Sequence, residues 1–283
     1  MSNFGLPYQG SKNRIAQKIV DFLPAGGTLY DLFSGGGAIA HCALFSKKWD
    51  KIVVNDIQHG QTKFFVDSLR GKFLDRTEWI SHGEFFKLKE SDPFIKSVYS
   101  FGNKGGQYLY SYEIEPIKKL VHLMITAETV RERRLHFRKF ITTLYSNGYF
   151  ETTENKSAKS KLRTLERVQS LEAIERVNEL NTIINIQVEN YESDYQDIAI
   201  NKYGVIYCDI PYRSTVSYGK QSFDYERFYL WAENQKLPVF ISEYSMPEER
   251  FKCVLEIPKT CSMCATKNHV KTIERLYVPK QQA

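Results

Sequence analysis

TLYDLFSGGGAIAHCALFS (Thr28–Ser46), followed closely by KIVVND (Lys51–Asp56), is the stretch whose reading decides the fold. TLYDLF (Thr28 to Phe33) is a short β-prone run, Gly35, Gly36 and Gly37 turn the chain, AIAHCALFS has helical composition, and KIVVND reads as a second buried strand. Strand, glycine turn, helix and strand within about 30 residues are a nucleotide-binding crossover. Gly35 to Ala40 fits G-x-G-x-x-A, and Asp56 closes the next strand about 20 residues later, where a carboxylate accepts hydrogen bonds from ribose hydroxyls. That combination suits a nicotinamide dinucleotide, equally any adenosyl cofactor, and also a glycine turn in an α/β protein that binds neither.

Moving outward, the sharper signal is Asp209-Ile210-Pro211-Tyr212, directly after the apolar run GVIYC (Gly204 to Cys208). Open α/β sheets place their chemistry at the carboxyl ends of strands. An acid, a proline-stiffened turn and an aromatic suit a flat base that bears an amino group. Asp209 can accept one N–H, the Ile210 carbonyl the other, and Tyr212 can stack on the ring. Two acceptors aimed at an aromatic amine favour its pyramidal, nucleophilic form. A strand-terminal Asp-x-Pro turn without function would read the same way.

Between these halves the pattern loosens from about Gln58 to Lys161, with turn material at GNKGGQ (Gly102 to Gln107), a basic cluster RERRLHFRKF (Arg131 to Phe140) and a nearly apolar-free run ETTENKSAKSK (Glu151 to Lys161). Leu162, Leu165, Val168, Leu171, Ile174, Val177 and Leu180 then recur every third residue, a stripe that winds around a helix and touches several neighbours. IINIQV, GVIYC, PVFISEY, KCVLEIP and ERLYVP return to strand texture. The expected organisation is an α/β core of residues 1–60 and 182–283, with 61–181 as an inserted, mostly helical region and connecting helix.

Composition narrows the class. The 283 residues are 42% hydrophobic and 25% charged, which excludes global disorder, and the formal net charge of +6 is compatible with a polyanionic partner. No apolar run reaches membrane-spanning length and the start lacks a signal core, so a cytoplasmic protein without a membrane partner is expected. Five cysteines spread over a long chain read as reduced thiols. Cys253, Cys261, Cys264 and His269 lack a second close ligand pair, and no metal is expected. No Pro-Cys pair offers the thiol that cytosine ring methylation needs.

At these residues the chain resembles the DNA adenine methylase family of amino-methyltransferases, which use S-adenosylmethionine and carry an Asp-Pro-Pro-Tyr motif. Asp209 to Tyr212 resembles that motif, and Asp31-Leu-Phe-Ser-Gly-Gly-Gly37 is similar to its Phe-x-Gly-x-Gly cofactor loop. Tyr8-Gln-Gly-Ser-Lys12 is similar to the Tyr-x-Gly-x-Lys segment over the methionine part of the cofactor, Asn55-Asp56 falls at the ribose-binding acid, and Asp194-Tyr195 is similar to the pair beside the adenine. The resemblance implies a Rossmann-like S-adenosylmethionine-dependent core with an inserted DNA-recognition region. It also implies transfer of a methyl group to the N6 amino group of an adenine flipped out of double-stranded DNA. Cofactor contacts would come from Tyr8, Gly10, Lys12, Asp31, Phe33, Gly35, Gly37, Asp56, Asp194 and Tyr195, and catalysis from Asp209, Ile210, Pro211 and Tyr212.

Extruding a base costs a few kcal/mol, which phosphate contacts offset. The expected DNA-facing residues are Lys104, Arg131, Arg134, Arg138, Lys159, Lys161 and Arg213, with Tyr218 walling the base pocket; a solvated helix face is the other reading of the basic cluster. A restriction endonuclease acting on the same site without stable contact is compatible with this picture. The motif's first proline is Ile210 here, which restores a backbone N–H and frees φ. A catalytically weak or inactive relative that binds S-adenosylmethionine and DNA therefore stays open, as does an NAD-dependent oxidoreductase built on the glycine turn.

Overall fold

The computed structural model describes residues 4–8, 10–146, 167–182, 185–213, 223–260 and 271–283. Its strands are β1 (Thr28–Asp31), β2 (Lys51–Asn55), β3 (Gln187–Tyr191), β4 (Gly204–Cys208), β5 (Val239–Glu243), β6 (Phe251–Thr260) and β7 (Lys271–Pro279). Its α-helices are α1 (Ala16–Phe22), α2 (Ala38–Ser46), α3 (Gln61–Leu69), α4 (His82–Leu88), α5 (Pro93–Val98), α6 (Glu115–Thr126), α7 (Val130–Ser146), α8 (Gln169–Asn178) and α9 (Tyr225–Glu233). The chain divides into two compact units, one of Met1–Leu6, Gly10–Arg70 and Thr182–Ala283, the other of Pro7–Gln9 and Gly71–Asn181.

The first unit is built on one sheet in the order β3-β2-β1-β4-β5-β7-β6. β1 lies parallel to both β2 and β4, with Asp31 opposite Val54 on one side and Tyr207 on the other. β7 runs antiparallel between β5 and β6, and the β6–β7 register shifts between Cys253 and Leu255. This is the expected Rossmann-like α/β core. Strand order reverses between β1 and β4, the point at which an open α/β sheet leaves a crevice.

The central strands carry nearly unbroken apolar runs because helices cover both faces of a parallel sheet. All four residues of β1 are buried, as are Val205 to Cys208 of β4. Phe228 and Tyr229 of α9 pack with Tyr195, Ile206, Ile241 and Phe251 in the main core, with Phe33 against its edge. Each such fully buried side chain contributes roughly 1.5–3 kcal/mol. α2 is apolar all round and buries every residue from Ala38 to Leu44, as a helix enclosed by its own domain must.

The second unit is mainly helical and held by local chemistry. Ser81 and Glu84 close a capping box on α4, and Asp92 caps α5 with proline in its first turn. Trp79 stacks on Tyr110 with centroids 5.6 Å apart, and His122 lies between the Thr77 carbonyl and the Ser170 hydroxyl. Ile117 and Leu144 join α6 to α7.

Two local readings need correction. IINIQV is not one strand: β3 starts only at Gln187, and Ile183 and Ile184 lie outside the described residues. Leu162 and Leu165 of the stripe also lie outside them, and α8 is too short for the stripe to wind around it. It buries one face through Ser170, Ala173, Ile174 and Val177. No helix among the described residues is long and apolar enough to cross a membrane.

The segment before α1 is tied to the glycine loop. The Gly5 N–H donates to His41 Nδ1 (3.0 Å) and the Leu6 N–H to the Gly36 carbonyl (2.7 Å). Gly5 has φ +73°, and a Cβ there would lie 2.6 Å from the Gly36 oxygen and 2.7 Å from the Ala38 nitrogen. Gly5→Ala is expected to destabilise the protein by about 1–3 kcal/mol, read as a lower urea midpoint at unchanged slope. A wild-type midpoint would show that this segment does not constrain the loop.

Candidate active site

The crevice at the β1–β4 reversal is lined from the β1 side by the glycine loop. Gly37 takes φ +69° as the N-cap of α2, and a side chain there would run into the Phe65 ring. The Ser34 N–H donates to the Asn55 carbonyl, and Asn55 Nδ2 donates to the carbonyls of Leu32 and Ser193. Asp56 accepts the Gly35 N–H at 2.8 Å on one carboxylate oxygen and the Gln58 N–H at 2.9 Å on the other. Its carboxylate is thus aimed by two amides, each oxygen keeping a second lone pair for a ligand. Burial raises its pKa against those two bonds. Ile57 beside it is 74% exposed, an apolar surface at the end of β2.

Asp31, which closes β1, is 1% exposed, and no side chain of the described residues hydrogen-bonds its carboxylate, which has the Ala40 backbone beside it. Burial first, then the Asp209 charge, push its pKa well above the carboxylate range. A buried acid with so few donors can accept another.

On the β4 side, Asp209 is gripped by Lys12, whose Nζ lies 2.6 Å from each carboxylate oxygen. Lys12 is itself buried at 6% exposure, and its carbonyl accepts the N–H groups of Ile15 and Ala16 at the start of α1, which fixes its backbone. The same ammonium is 3.8 Å from Glu274 Oε1 and 4.8 Å from the centre of the Tyr212 ring. Tyr212 donates its hydroxyl to Glu274 and packs edge-on against Tyr244 at 4.7 Å. Burial raises the Asp209 pKa, Lys12 opposes the shift and Glu274 adds to it. Burial also holds the Tyr212 hydroxyl far above its usual range, so it stays protonated.

The loop after Asp209 has several anchors. Pro211 accepts the Tyr225 hydroxyl at 2.9 Å, and Glu243 at the end of β5 accepts the N–H groups of Tyr244 (2.7 Å) and Arg213 (3.2 Å). The Arg213 guanidinium lies over the rings of Tyr225 and Tyr229. Ile210 is buried in the main core, so side-chain packing restrains the backbone where a proline ring would otherwise fix φ.

Lys12, Asp31, Asp209 and Tyr212 thus meet at the β1–β4 ends, joined by Glu274, while Phe33, Gly35, Gly37 and Asp56 form the neighbouring loop. Phe33 packs on Tyr195 at 5.4 Å; Asp194 caps the turn after it and pairs with Arg227 at 3.0 Å. Gly10 takes φ +80° with open space beside it, and Tyr8 is half-buried. Lys104 is exposed, as are Arg131, Arg134 and Arg138 on α7. Pro116, Lys119, Leu120, Arg138, Lys139, Thr142 and Thr143 line a groove of about 530 Å³ between α6 and α7. Lys159, Lys161, Tyr218, Cys261, Cys264 and His269 lie outside the described residues.

Sequence reasoning missed Glu243 and Glu274. Glu243 ends an apolar strand much as Asp209 follows one, a signal within PVFISEY. Glu274 sits in a strand of mixed polarity and carries no such mark. Lys12, assigned to the cofactor by resemblance, is placed on Asp209 by the structure.

Comparison with known proteins adds one firm result. Residues 8–280 match the model of a family described as D12 class N6 adenine-specific DNA methyltransferase. No curated protein matches. Among solved structures, a conserved hypothetical protein of Streptococcus pyogenes aligns at TM-score 0.33 and 10% identity, over 96% of this chain and 98% of that one. The rRNA methyltransferase aviRa of Streptomyces viridochromogenes aligns at TM-score 0.37 and 11% identity, over 96% of this chain and 86% of its own. Likenesses this distant carry no argument about the reaction.

Glu243 supplies a pH test of the site. Burial raises its pKa from 4.5 to about 7, against the two amide bonds. The folded protein therefore binds this proton more tightly than the unfolded chain, and the stabilisation is full below about pH 4.5 and lost as pH rises through about 7. Glu243→Gln should remove that slope, gaining about 1–3 kcal/mol relative to wild type between pH 5 and pH 8 in denaturant unfolding. Parallel pH profiles for the two proteins would contradict it.

Proposed function

We infer that this chain, which belongs to the D12 class N6 adenine-specific DNA methyltransferase family, transfers a methyl group from S-adenosylmethionine to the amino group of an adenine extruded from DNA. The observation that carries the reading is the Lys12–Asp209 contact, which shows a nitrogen donor already held on the acid beside the Tyr212 ring. An amino-bearing base presents the same two features, N–H donors and a π-face, to the same two groups.

The cofactor fits the residues present. The Asp31 carboxylate, hydrogen-bonded by no described side chain, matches the ammonium of the methionine portion, Asp56 has lone pairs left for ribose hydroxyls, and Ile57 offers an apolar surface to the adenine ring. When bound, S-adenosylmethionine supplies an electrophilic methyl group on a sulfonium, which departs with the bonding pair left on sulfur. Asp209 accepts one N–H of the target amino group and the Ile210 carbonyl the other, localising the nitrogen lone pair. Tyr212 holds the ring plane. As positive charge grows on the nitrogen, the Asp209 carboxylate stabilises it, and its oxygens are the first to meet the proton that the nitrogen sheds. Arg131, Arg134 and Arg138 on α7, with Lys104, supply phosphate contacts that offset extrusion of the base. A dehydrogenase reading explains the glycine loop but leaves Asp209, Tyr212 and Lys12 without a task.

Labelled methyl transfer from S-adenosylmethionine to unmethylated duplex DNA, with the product nucleosides identified, tests the reading. Wild type should yield N6-methyladenine, and Asp209→Ala should lose at least about 10²–10³ in rate while cofactor affinity stays within a few-fold. Wild-type rates in that variant, or label in another nucleoside, would overturn it. Asp31→Asn should weaken S-adenosylmethionine binding by about tenfold or more in calorimetry, since a charge-assisted bond becomes a neutral one. Unchanged affinity would move the cofactor's ammonium elsewhere.

A further inference from the structure

Lys12 contacts both oxygens of Asp209, and the same ammonium lies over the Tyr212 ring, 4.8 Å from its centre. A substrate amino group that takes the same position on Asp209 displaces Lys12. Lys12 is buried and cannot leave into water without exposing Asp209, so its charge needs a second carboxylate close by.

We propose that Glu274 is a positioning residue that receives Lys12 when a substrate amino group takes over Asp209, and that steadies Tyr212 through its hydroxyl during the exchange. The proposal rests on the methyltransferase reading, which supplies the incoming amino group.

The geometry carries it. Glu274 is fully buried, and β7 is held by β5 through the Glu243–Arg275 pairing, so the carboxylate has little freedom. Its Oε1 is 3.8 Å from Lys12 Nζ, about 1 Å beyond a charge-assisted hydrogen bond. A change in the terminal torsions of the lysine closes that gap without moving the backbone, whose carbonyl holds the first turn of α1. The net charge of the pocket is the same before and after, since one ammonium serves two carboxylates in turn. One movement frees both the Asp209 oxygens and the Tyr212 ring face. Oε1 also accepts the Tyr212 hydroxyl, so the lysine arrives at an oxygen already fixed relative to the ring. Asp31, Tyr207 and Glu243 also act on this cluster, each adding negative charge or a phenol near Asp209 and Tyr212.

Two measurements on the full chain test this. The first needs no turnover: thermal unfolding of Lys12→Met, Glu274→Gln and the double variant. Glu274→Gln keeps an oxygen for the Tyr212 hydroxyl and removes only the charge. Lys12→Met should lower Tm by several degrees, and the double variant should recover at least half of that loss. Strictly additive losses would overturn the proposal whether or not DNA is methylated. The second is methyl transfer to unmethylated genomic DNA. Glu274→Gln should lower kcat tenfold or more with KM for S-adenosylmethionine within twofold, yet cost less than twofold in the Lys12→Met background. Wild-type kcat in Glu274→Gln, or an equal loss in both backgrounds, would assign Glu274 to the fold alone and defeat the proposal. If wild type labels no adenine while the unfolding cycle shows coupling, the methyltransferase reading falls and the charge partnership of Lys12 with Glu274 stands.

Discussion

A buried carboxylate cannot stay ionised without a partner, and the centre of this protein is arranged around that constraint. Asp31, Asp209, Glu243 and Glu274 converge where the sheet order reverses, and Lys12 from the segment before α1 lies among them. Each acid meets the constraint differently: Asp209 with an ammonium, Glu243 with two backbone amides, Glu274 with a phenol and the outer reach of the lysine. Asp31 meets it by holding a proton, since burial and the Asp209 charge keep its pKa well above the carboxylate range. Breaking a buried pair such as Lys12–Asp209 typically costs about 3–5 kcal/mol, so these contacts belong to the stability of the core as well as to its chemistry.

The same economy explains the N-terminal segment. Gly5 and Leu6 attach it to His41 and Gly36, which sets where Lys12 enters the crevice. The glycine loop is therefore held from two sides, by this segment and by Asn55 and Asp56 from β2. The loop's shape and the position of the ammonium depend on each other.

Much of this was legible in the sequence, for physical reasons. TLYDLF, KIVVND and GVIYC announced their strands because central parallel strands are apolar on both faces, and their closing acids stood out against that background. The family and the α/β core followed from motifs whose order a single fold satisfies. β3 was misplaced because Gln187–Tyr191 is a polar edge strand, with no periodicity that separates it from loop. Glu274 was invisible because its importance comes from pairing across the chain: KTIERLYVP lacks a regular alternation that would mark its one acid as facing inward. Lys12 was visible as a motif residue but its partner was not, since nothing local connects it to a position 197 residues away.

That separation has a consequence for how the protein is made. β1 pairs with β2 early in the chain but gains its other neighbour only when Gly204–Cys208 has been synthesised. Until then one edge of an apolar strand is open, a hazard that long-range parallel pairing always brings. The acid that grips the ammonium arrives at the same moment as the missing edge. Closing that edge and bringing Asp209 to Lys12 are thus one step in the making of the chain, while β5, β6 and β7, with Glu243 and Glu274, are still to come.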